Sequence, residues 1–290
     1  MHFPRVLVMG ATGRIGGILR RVWGAGGSGD RVLWQSRAPA PGPGWVSLDP
    51  LAEPGALARA AAGTEAILCL SGVVPARAAA GADMADNTAL ALAAVRAGAE
   101  AGAAVLLASS AAVYGDCSEV LRETGALAPV SDYGRAKAAM EARAIALGAA
   151  RGVAVTALRI GNVAGVDAAL GGWRPGFRLD RFADGRTPRR SYIGPATLAR
   201  VLGDLAAAAA GGGAPLPRAL NVAAPGTVEM GALLDAAGLA WTPRPAPPGA
   251  IPEVVLDVSA LRGFTALTAR DSLPRNLVDE IRGLETGMPR

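Results

Sequence analysis

The chain has 290 residues, 51% of them hydrophobic, and a formal net charge of +5, enough apolar sequence to bury a large core in one big domain or two unequal ones. Its basic residues are scattered rather than gathered into an aromatic-interleaved stripe, which argues against a nucleic-acid surface. Two cysteines, Cys69 and Cys117, and a single histidine, His2, argue against a disulfide framework, a metal site or histidine-based catalysis. Residues 1–10 lack the pattern of a secretory signal and no segment reads as a membrane span, so the expectation is a soluble, cytoplasmic protein.

Residues 5–9 read as a short buried strand around Val6, Leu7 and Val8, followed at once by the turn GATGRIGG and a helix to about residue 23. The strand pattern returns at 31–35, a third short segment covers 44–48 and ends at Asp49, and a helix over 54–62 leads into an apolar run at 66–70. A long alanine-rich helix over 83–101, a strand over 104–108, a helix over 133–150 and a strand over 154–160 continue the alternation. This rhythm predicts βαβ units and an α/β fold built on a doubly wound parallel sheet. Beyond residue 165 the texture changes: 171–188 reads as a loop rich in glycine, proline and arginine. A helix over 196–210 and a strand over 219–223 return to the earlier pattern, and a proline-rich connector over 243–252 with short helices completes the chain. The expected division is a dinucleotide-binding domain over 1–165, rejoined by 191–225, with 166–190 and 226–290 forming a smaller substrate-binding cap over the carboxyl edge of the sheet.

The glycine turn is where chemistry first shows. Gly10, Gly13 and Gly16 follow a strand and open a helix, the context in which backbone N–H groups can approach a pyrophosphate at a helix N-terminus. Where an NAD-binding chain places a carboxylate for the adenosine ribose, this one has Ser36 and Arg37. Arg37, with Arg14 from the turn, could neutralise a 2′-phosphate, which favours NADP over NAD; the alternative is that Arg37 is a solvated loop charge.

Tyr133 and Lys137 stand four residues apart at the start of a helix, so both project from one face. An ammonium beside a phenol favours the phenolate and makes tyrosine usable as an acid or base. Lys137 is the only lysine among 29 basic residues, a position where the compact ammonium and not arginine's fork is required. Ser109 and Ser110 follow the strand at 104–108, where ligands bind in such sheets; Ser110 is the candidate to hold a substrate oxygen, and Ser109 reads better as a turn cap.

With these motifs in place the sequence resembles the extended short-chain dehydrogenase/reductases, the NAD-dependent epimerase/dehydratase family. The resemblance runs through GATGRIGG, LDPL, LCLSGVVP, Asn87, SSAAVYG, YGRAK, RIGNVAG and RALNVAA. It implies a Rossmann fold with a smaller C-terminal substrate-binding region, catalysis by Ser110, Tyr133 and Lys137, and a homodimer paired through the two alanine-rich helices. It also implies cofactor contacts from Gly10, Thr12, Gly13, Arg14, Ile15 and Gly16, from Ser36 and Arg37, and from Asp49 (to the adenine) and Leu51. Further contacts would come from Leu70, Ser71 and Gly72, from Asn87 and Ser109, from Tyr133 and Lys137 (to the nicotinamide ribose), and from Ile160 and Asn162.

On the substrate side the resemblance points to Ala111, Ala112, Asn162 and Arg190. Ala111 and Ala112 stand where sugar-nucleotide dehydratases of the family carry acids, which argues against elimination of water. Arg190 matches an arginine that contacts substrate phosphate in relatives, and with Arg174, Arg178, Arg181, Arg186 and Arg189 against only Asp180 and Asp184 it suggests an anionic substrate. The reading is an NAD(P)-dependent reductase or epimerase acting at a secondary alcohol or ketone of a small, sugar-nucleotide-like substrate; the alternative is a non-catalytic regulatory protein that senses the dinucleotide.

Overall fold

The computed structural model describes residues 3–27, 29–39, 41–116, 119–212 and 214–286; His2 and Cys117 lie outside them. The first half alternates strand and helix as the periodicity requires. β1 (Val6–Met9) leads to α1 (Arg14–Ala25), β2 (Val32–Ser36), β3 (Trp45–Ser47), α2 (Pro54–Ala61) and β4 (Ala66–Cys69). A short α3 (Pro75–Ala78) then precedes α4 (Asp86–Ala101), β5 (Ala104–Ser110), α5 (Asp132–Arg151) and β6 (Val155–Ile160). β7 (Asn162–Val163), β8 (Arg178–Arg181), β9 (Arg189–Arg190) and β10 (Tyr192–Ile193) follow as short strands, then α6 (Pro195–Ala207), β11 (Ala219–Val222) and β12 (Val228–Glu229). The chain closes with α7 (Met230–Ala237), β13 (Thr242–Pro245), β14 (Glu253–Val254) and α8 (Pro274–Thr286).

Seven of these strands form one parallel sheet in the order β11-β6-β5-β4-β1-β2-β3, the doubly wound Rossmann arrangement. Its strands read as continuous apolar runs because both faces are covered. In β1, Val6 and Val8 enter a core shared with Leu19 and Leu202 from α1 and α6, while Leu7 and Met9 enter a second core shared with Leu57, Ala94 and Met140 from α2, α4 and α5. A smaller third core, with Tyr192, Leu233, Leu277 and Val278, joins β10, α7 and α8.

Two segments differ from their sequence reading. β8 lies inside the expected 171–188 loop, and β13 opens the expected proline-rich connector; the two pair in parallel. Prolines are tolerated because β13 is an edge strand whose Thr242 N–H donates to Phe177 and whose following Ala246 N–H donates to Arg181, leaving Pro243 and Pro245 at positions where no donor is needed. β9 is the centre of another small sheet, β12-β9-β14. α8 does more than cover the cap, since Glu280 accepts from the Thr197 amide (2.9 Å) and hydroxyl (2.6 Å) and so satisfies the first turn of α6.

Glycines let α4 and α5 sit flat against the strands that follow them. A Cβ on Gly98 would stand 2.7 Å from Val105 Cγ2, and one on Gly148 would stand 2.4 Å from Val155 Cγ2. Gly148→Leu should therefore overpack this contact and destabilise the fold by about 1–3 kcal/mol. An unchanged denaturation midpoint would contradict it.

Candidate active site

The glycine turn owes its shape to steric limits. Gly10 has φ +79°, and a Cβ there would stand 2.8 Å from both the amide nitrogen and the hydroxyl of Ser71. Gly16 allows α1 to approach the turn, since its Cβ would fall 2.5 Å from Ala11 O. Gln35, which the sequence reading treated only as strand, is the clamp: its buried side chain accepts from Gly10 N (3.0 Å) and donates to Leu48 O (2.8 Å), tying the turn to β2 and β3. Gly13 precedes α1 in an extended conformation without a capping side chain, and no acid occupies the first turn. Helix-end N–H groups and the positive end of the helix dipole thus face the cleft, a cradle that suits a pyrophosphate.

That cleft, about 980 Å³, is lined by Gly10, Thr12, Gly13, Arg14, Ile15, Gly16, Ser36, Arg37, Asp49, Leu51, Leu70, Ser71, Gly72, Ser109, Ser110, Tyr133, Lys137, Ile160 and Asn162. At the β2 end, Ser36 Oγ accepts from Ala38 N (3.0 Å), Asp49 Oδ1 accepts from Leu51 N (2.9 Å), and Arg37 is exposed at the rim. Arg14 does not join it there. Its Nη1 reaches to Val166 O at 2.6 Å, in the loop after β7, and its charge acts on Tyr133.

At the carboxyl end of β5, which runs two residues further than the sequence pattern suggested, Ser110 Oγ accepts from Ala112 N at 3.2 Å, and the Ser110 hydroxyl acts on the Tyr133 phenol, favouring its ionised form. Ser131 caps α5 by accepting from Gly134 N at 3.0 Å, which places Tyr133 in the first turn. One turn on, Lys137 is 4% exposed and its Nζ donates to Ala108 O at 2.8 Å. The electrostatics correct the sequence argument. Burial holds the Tyr133 phenol above its ordinary value, and the groups that oppose burial are the Ser110 hydroxyl and the Arg14 guanidinium. Lys137 Nζ is 5.9 Å from the Tyr133 ring centroid. Its own pKa is pushed down to about 8 by burial, against the pull of Cys69 and Glu141.

Four sequence candidates are not among the lining residues. Asn87 is fully buried behind the wall, where Nδ2 donates to Val73 O (3.0 Å) and Oδ1 accepts from Val73 N (3.2 Å), fixing the loop after β4. Ala111 and Ala112 form the short turn after β5. Arg190 is turned into the β12-β9-β14 sheet, its guanidinium donating to Arg189 O (2.7 Å) and Ile251 O (3.0 Å), so it does not reach the cleft. Of its neighbours, Arg186 pairs with Asp184, Arg189 with Glu253, and Arg174 and Arg181 donate to backbone carbonyls. The charged lining residues that the sequence reading missed are Arg77, Asp86 and Asp167. Tyr192, fully buried, donates to Asp167 Oδ2 at 2.8 Å and is hydrogen-bonded by Asn162. Among the described residues no group of three His, Cys, Asp or Glu side chains could hold a metal, and no helix is long and apolar enough to cross a membrane.

A model of the NAD dependent epimerase/dehydratase family matches residues 6–173. Among solved structures, MoeE5 in complex with UDP-glucose and NAD is 25% identical, with a TM-score of 0.71, covering 96% of this chain and 98% of that one. UDP-glucose-4-epimerase from Stenotrophomonas maltophila, with bound NAD and formylated UDP-arabinopyranose, is 21% identical with a TM-score of 0.73, covering 98% of this chain and 99% of that one. L-threonine dehydrogenase from Clostridium difficile is 16% identical with a TM-score of 0.75, and the two chains cover each other fully (100% and 100%). The last two likenesses show a shared fold. No curated protein sequence matches the chain.

If the glycine turn cradles a dinucleotide, Gly10→Ala should weaken its binding about tenfold or more, because the added Cβ pushes Ser71 away and the turn must open. Fluorescence titration of the reduced dinucleotide measures this, and wild-type affinity would contradict the cradle.

Proposed function

The chain belongs to the NAD dependent epimerase/dehydratase family, and from that premise we propose that it is an enzyme moving hydride between a nicotinamide dinucleotide and a secondary alcohol or ketone of a small substrate. The observation that carries the reading is the convergence of Ser110, Tyr133 and Lys137 on the cleft that the glycine turn opens. The nicotinamide supplies or accepts the hydride when bound. The turn residues 10–16 would hold the pyrophosphate, and Lys137 and the wall at Leu70, Ser71 and Gly72 would hold the nicotinamide riboside.

The protein's own groups manage the proton. Ser110 Oγ orients the substrate oxygen, and the Tyr133 hydroxyl gives it a proton on reduction or takes one on oxidation. Burial keeps that hydroxyl protonated, which suits reduction of a carbonyl; the Ser110 hydroxyl and the Arg14 charge ease its release in the reverse direction. The same groups used twice would invert a carbinol centre, so the reading covers a reductase and an epimerase. The absence of acids at Ala111 and Ala112 makes a dehydratase the weaker fit. Nucleotide sugars bound by MoeE5 and the epimerase support a sugar-nucleotide-like substrate, and Arg77 and Arg14 are the lining cations that could meet its negative charge.

For the dinucleotide we favour NADP over NAD. MoeE5 and the UDP-glucose-4-epimerase hold NAD, but here β2 ends in Ser36 and Arg37 without a carboxylate, and Arg37 is exposed at the cleft rim. The outward faces of α4 and α5, where Ala139, Ala142, Ala146 and Arg96 are exposed, support pairing of two copies.

Tyr133→Phe should keep the fold and dinucleotide affinity and lower turnover by about two orders of magnitude or more; near-normal turnover would remove Tyr133 from the chemistry. Lys137→Arg should also be severely impaired, because Nζ is packed so closely that a Cβ built on Gly72 would stand 3.2 Å from it and it already donates to Ala108 O, a geometry that fits a compact ammonium and not a fork. Wild-type behaviour would defeat that argument. Titration should show NADP(H) bound about tenfold tighter than NAD(H), with the difference lost in Arg37→Ala; a preference for NAD would assign Arg37 to solvent. Sedimentation at micromolar concentration should give a dimer, and a 29.0 kDa species alone would reject the pairing.

A further inference from the structure

Beneath the candidate catalytic groups lies a buried ion pair that the reaction scheme does not use. Glu141 and Arg159 are 3% and 6% exposed, with Arg159 Nη2 2.8 Å and Nε 3.1 Å from Glu141 Oε2. Ser109 donates its hydroxyl to Glu141 Oε1 at 2.5 Å. Ser109 and Arg159 are register partners on neighbouring parallel strands, so they share the sheet face that α5 covers. Tyr133, Lys137 and Glu141 follow one another at four-residue steps along α5, which stacks them on one side of the helix.

We propose that Glu141 and Arg159 are positioning residues for the active site: their ion pair anchors the end of β5 through Ser109 and presents one negative charge to the Lys137 ammonium. The inference rests on the reading of Lys137 as part of that site. Its geometry is that of three consecutive residues. Ala108 O accepts from Lys137 Nζ, Ser109 Oγ is tied to Glu141, and Ser110 Oγ meets Tyr133. A strand end held at its middle residue holds both of the others.

Lys137 is surrounded by groups from four directions. From β4 it faces the Cys69 thiol, which burial pushes up to about 11 and so leaves neutral. From β5 it meets the Ala108 carbonyl, from its own helix the Met140 sulfur at 3.8 Å, the Tyr133 ring and Glu141, and from the wall opposite Gly72 the Asn87 amide. Among the described residues that act on it, Glu141 is the carboxylate. Arg159 stands behind Glu141 and offsets part of its charge. The two residues must therefore act on Lys137 with opposite sign: loss of the carboxylate disfavours the ammonium, and loss of the guanidinium favours it.

Because Lys137 is the only lysine, the test reads it directly. The pH dependence of its acetylation by acetic anhydride, followed by peptide mass spectrometry, should give a midpoint near 8 in the wild type. Glu141→Gln should lower the midpoint by about one pH unit or more, and Arg159→Met should raise it by a similar amount. The alkaline limb of kcat/KM should move with each. A pair that only stabilises the core would lower the melting temperature in both variants and leave the midpoint in place, which overturns the proposal, as does movement of both in one direction. Ser109→Ala, which keeps the ion pair whole, covers the case in which neither charge variant folds. Turnover should then fall about tenfold, and wild-type turnover would overturn the anchoring. The titration needs no turnover, so a flat midpoint in an active enzyme defeats this inference alone. Shifted midpoints in a protein that catalyses nothing would defeat the proposed function instead.

Discussion

Three peptide units at the end of β5 carry the local structure of the cleft. Ala108 offers its carbonyl to Lys137, Ser109 gives its hydroxyl to Glu141, and Ser110 faces Tyr133. Strand alternation sends Ser109 and Ser110 to opposite faces, so one serine can be spent on the core and the next on the site. α5 supplies the matching groups at helical spacing, and its start is fixed by the Ser131 cap. Such a strand end must be held against the pull of solvent at the sheet edge. The buried ion pair does so at a cost, because two charges leave water, but removing one partner alone would strand the other and is the more damaging change.

Burial is the second force at work, and it acts in the same direction on three groups in and beneath the cleft. It favours the neutral thiol of Cys69, the neutral phenol of Tyr133 and the neutral amine of Lys137. What opposes it is local and specific: Cys69 and Glu141 for the lysine, Ser110 and Arg14 for the tyrosine. The division of labour differs from the simplest picture of a lysine tuning its tyrosine neighbour. Arg14, placed in the glycine turn, supplies the charge that acts on Tyr133, and its bond to Val166 joins that turn to the loop after β7.

Much of this was legible in the chain itself, and the limits are physical. The parallel sheet could be read because strands buried on both faces are apolar throughout and the glycine turn marks the end of β1. The Tyr133 and Lys137 spacing and the lone lysine pointed to one helix face, and Glu141, four residues further along, carried the same signal unread. The pairing of Glu141 with Arg159 and Ser109 depends on strand register, which no local pattern records. The arginines of 173–190 show a related limit: their density is visible in sequence, but not that β9 lies at the centre of a small sheet and turns Arg190 toward the backbone of Ile251. β13 was hidden by its prolines, which a central strand forbids and an edge strand accepts.

The hydride transfer proposed for this cleft can be followed atom by atom. The purified chain is given a reduced dinucleotide deuterated at the reactive nicotinamide carbon, together with ketones and oxidised sugar nucleotides, and the products are examined by NMR. A parallel sample pairs the oxidised dinucleotide with sugar nucleotides and follows the absorbance of the reduced nicotinamide. The expected result is deuterium on the carbinol carbon of a product, or transient reduction of the dinucleotide by a sugar nucleotide. Tight dinucleotide binding with neither isotope transfer nor transient reduction across the whole set would contradict it, and would leave a protein that holds the dinucleotide without using it.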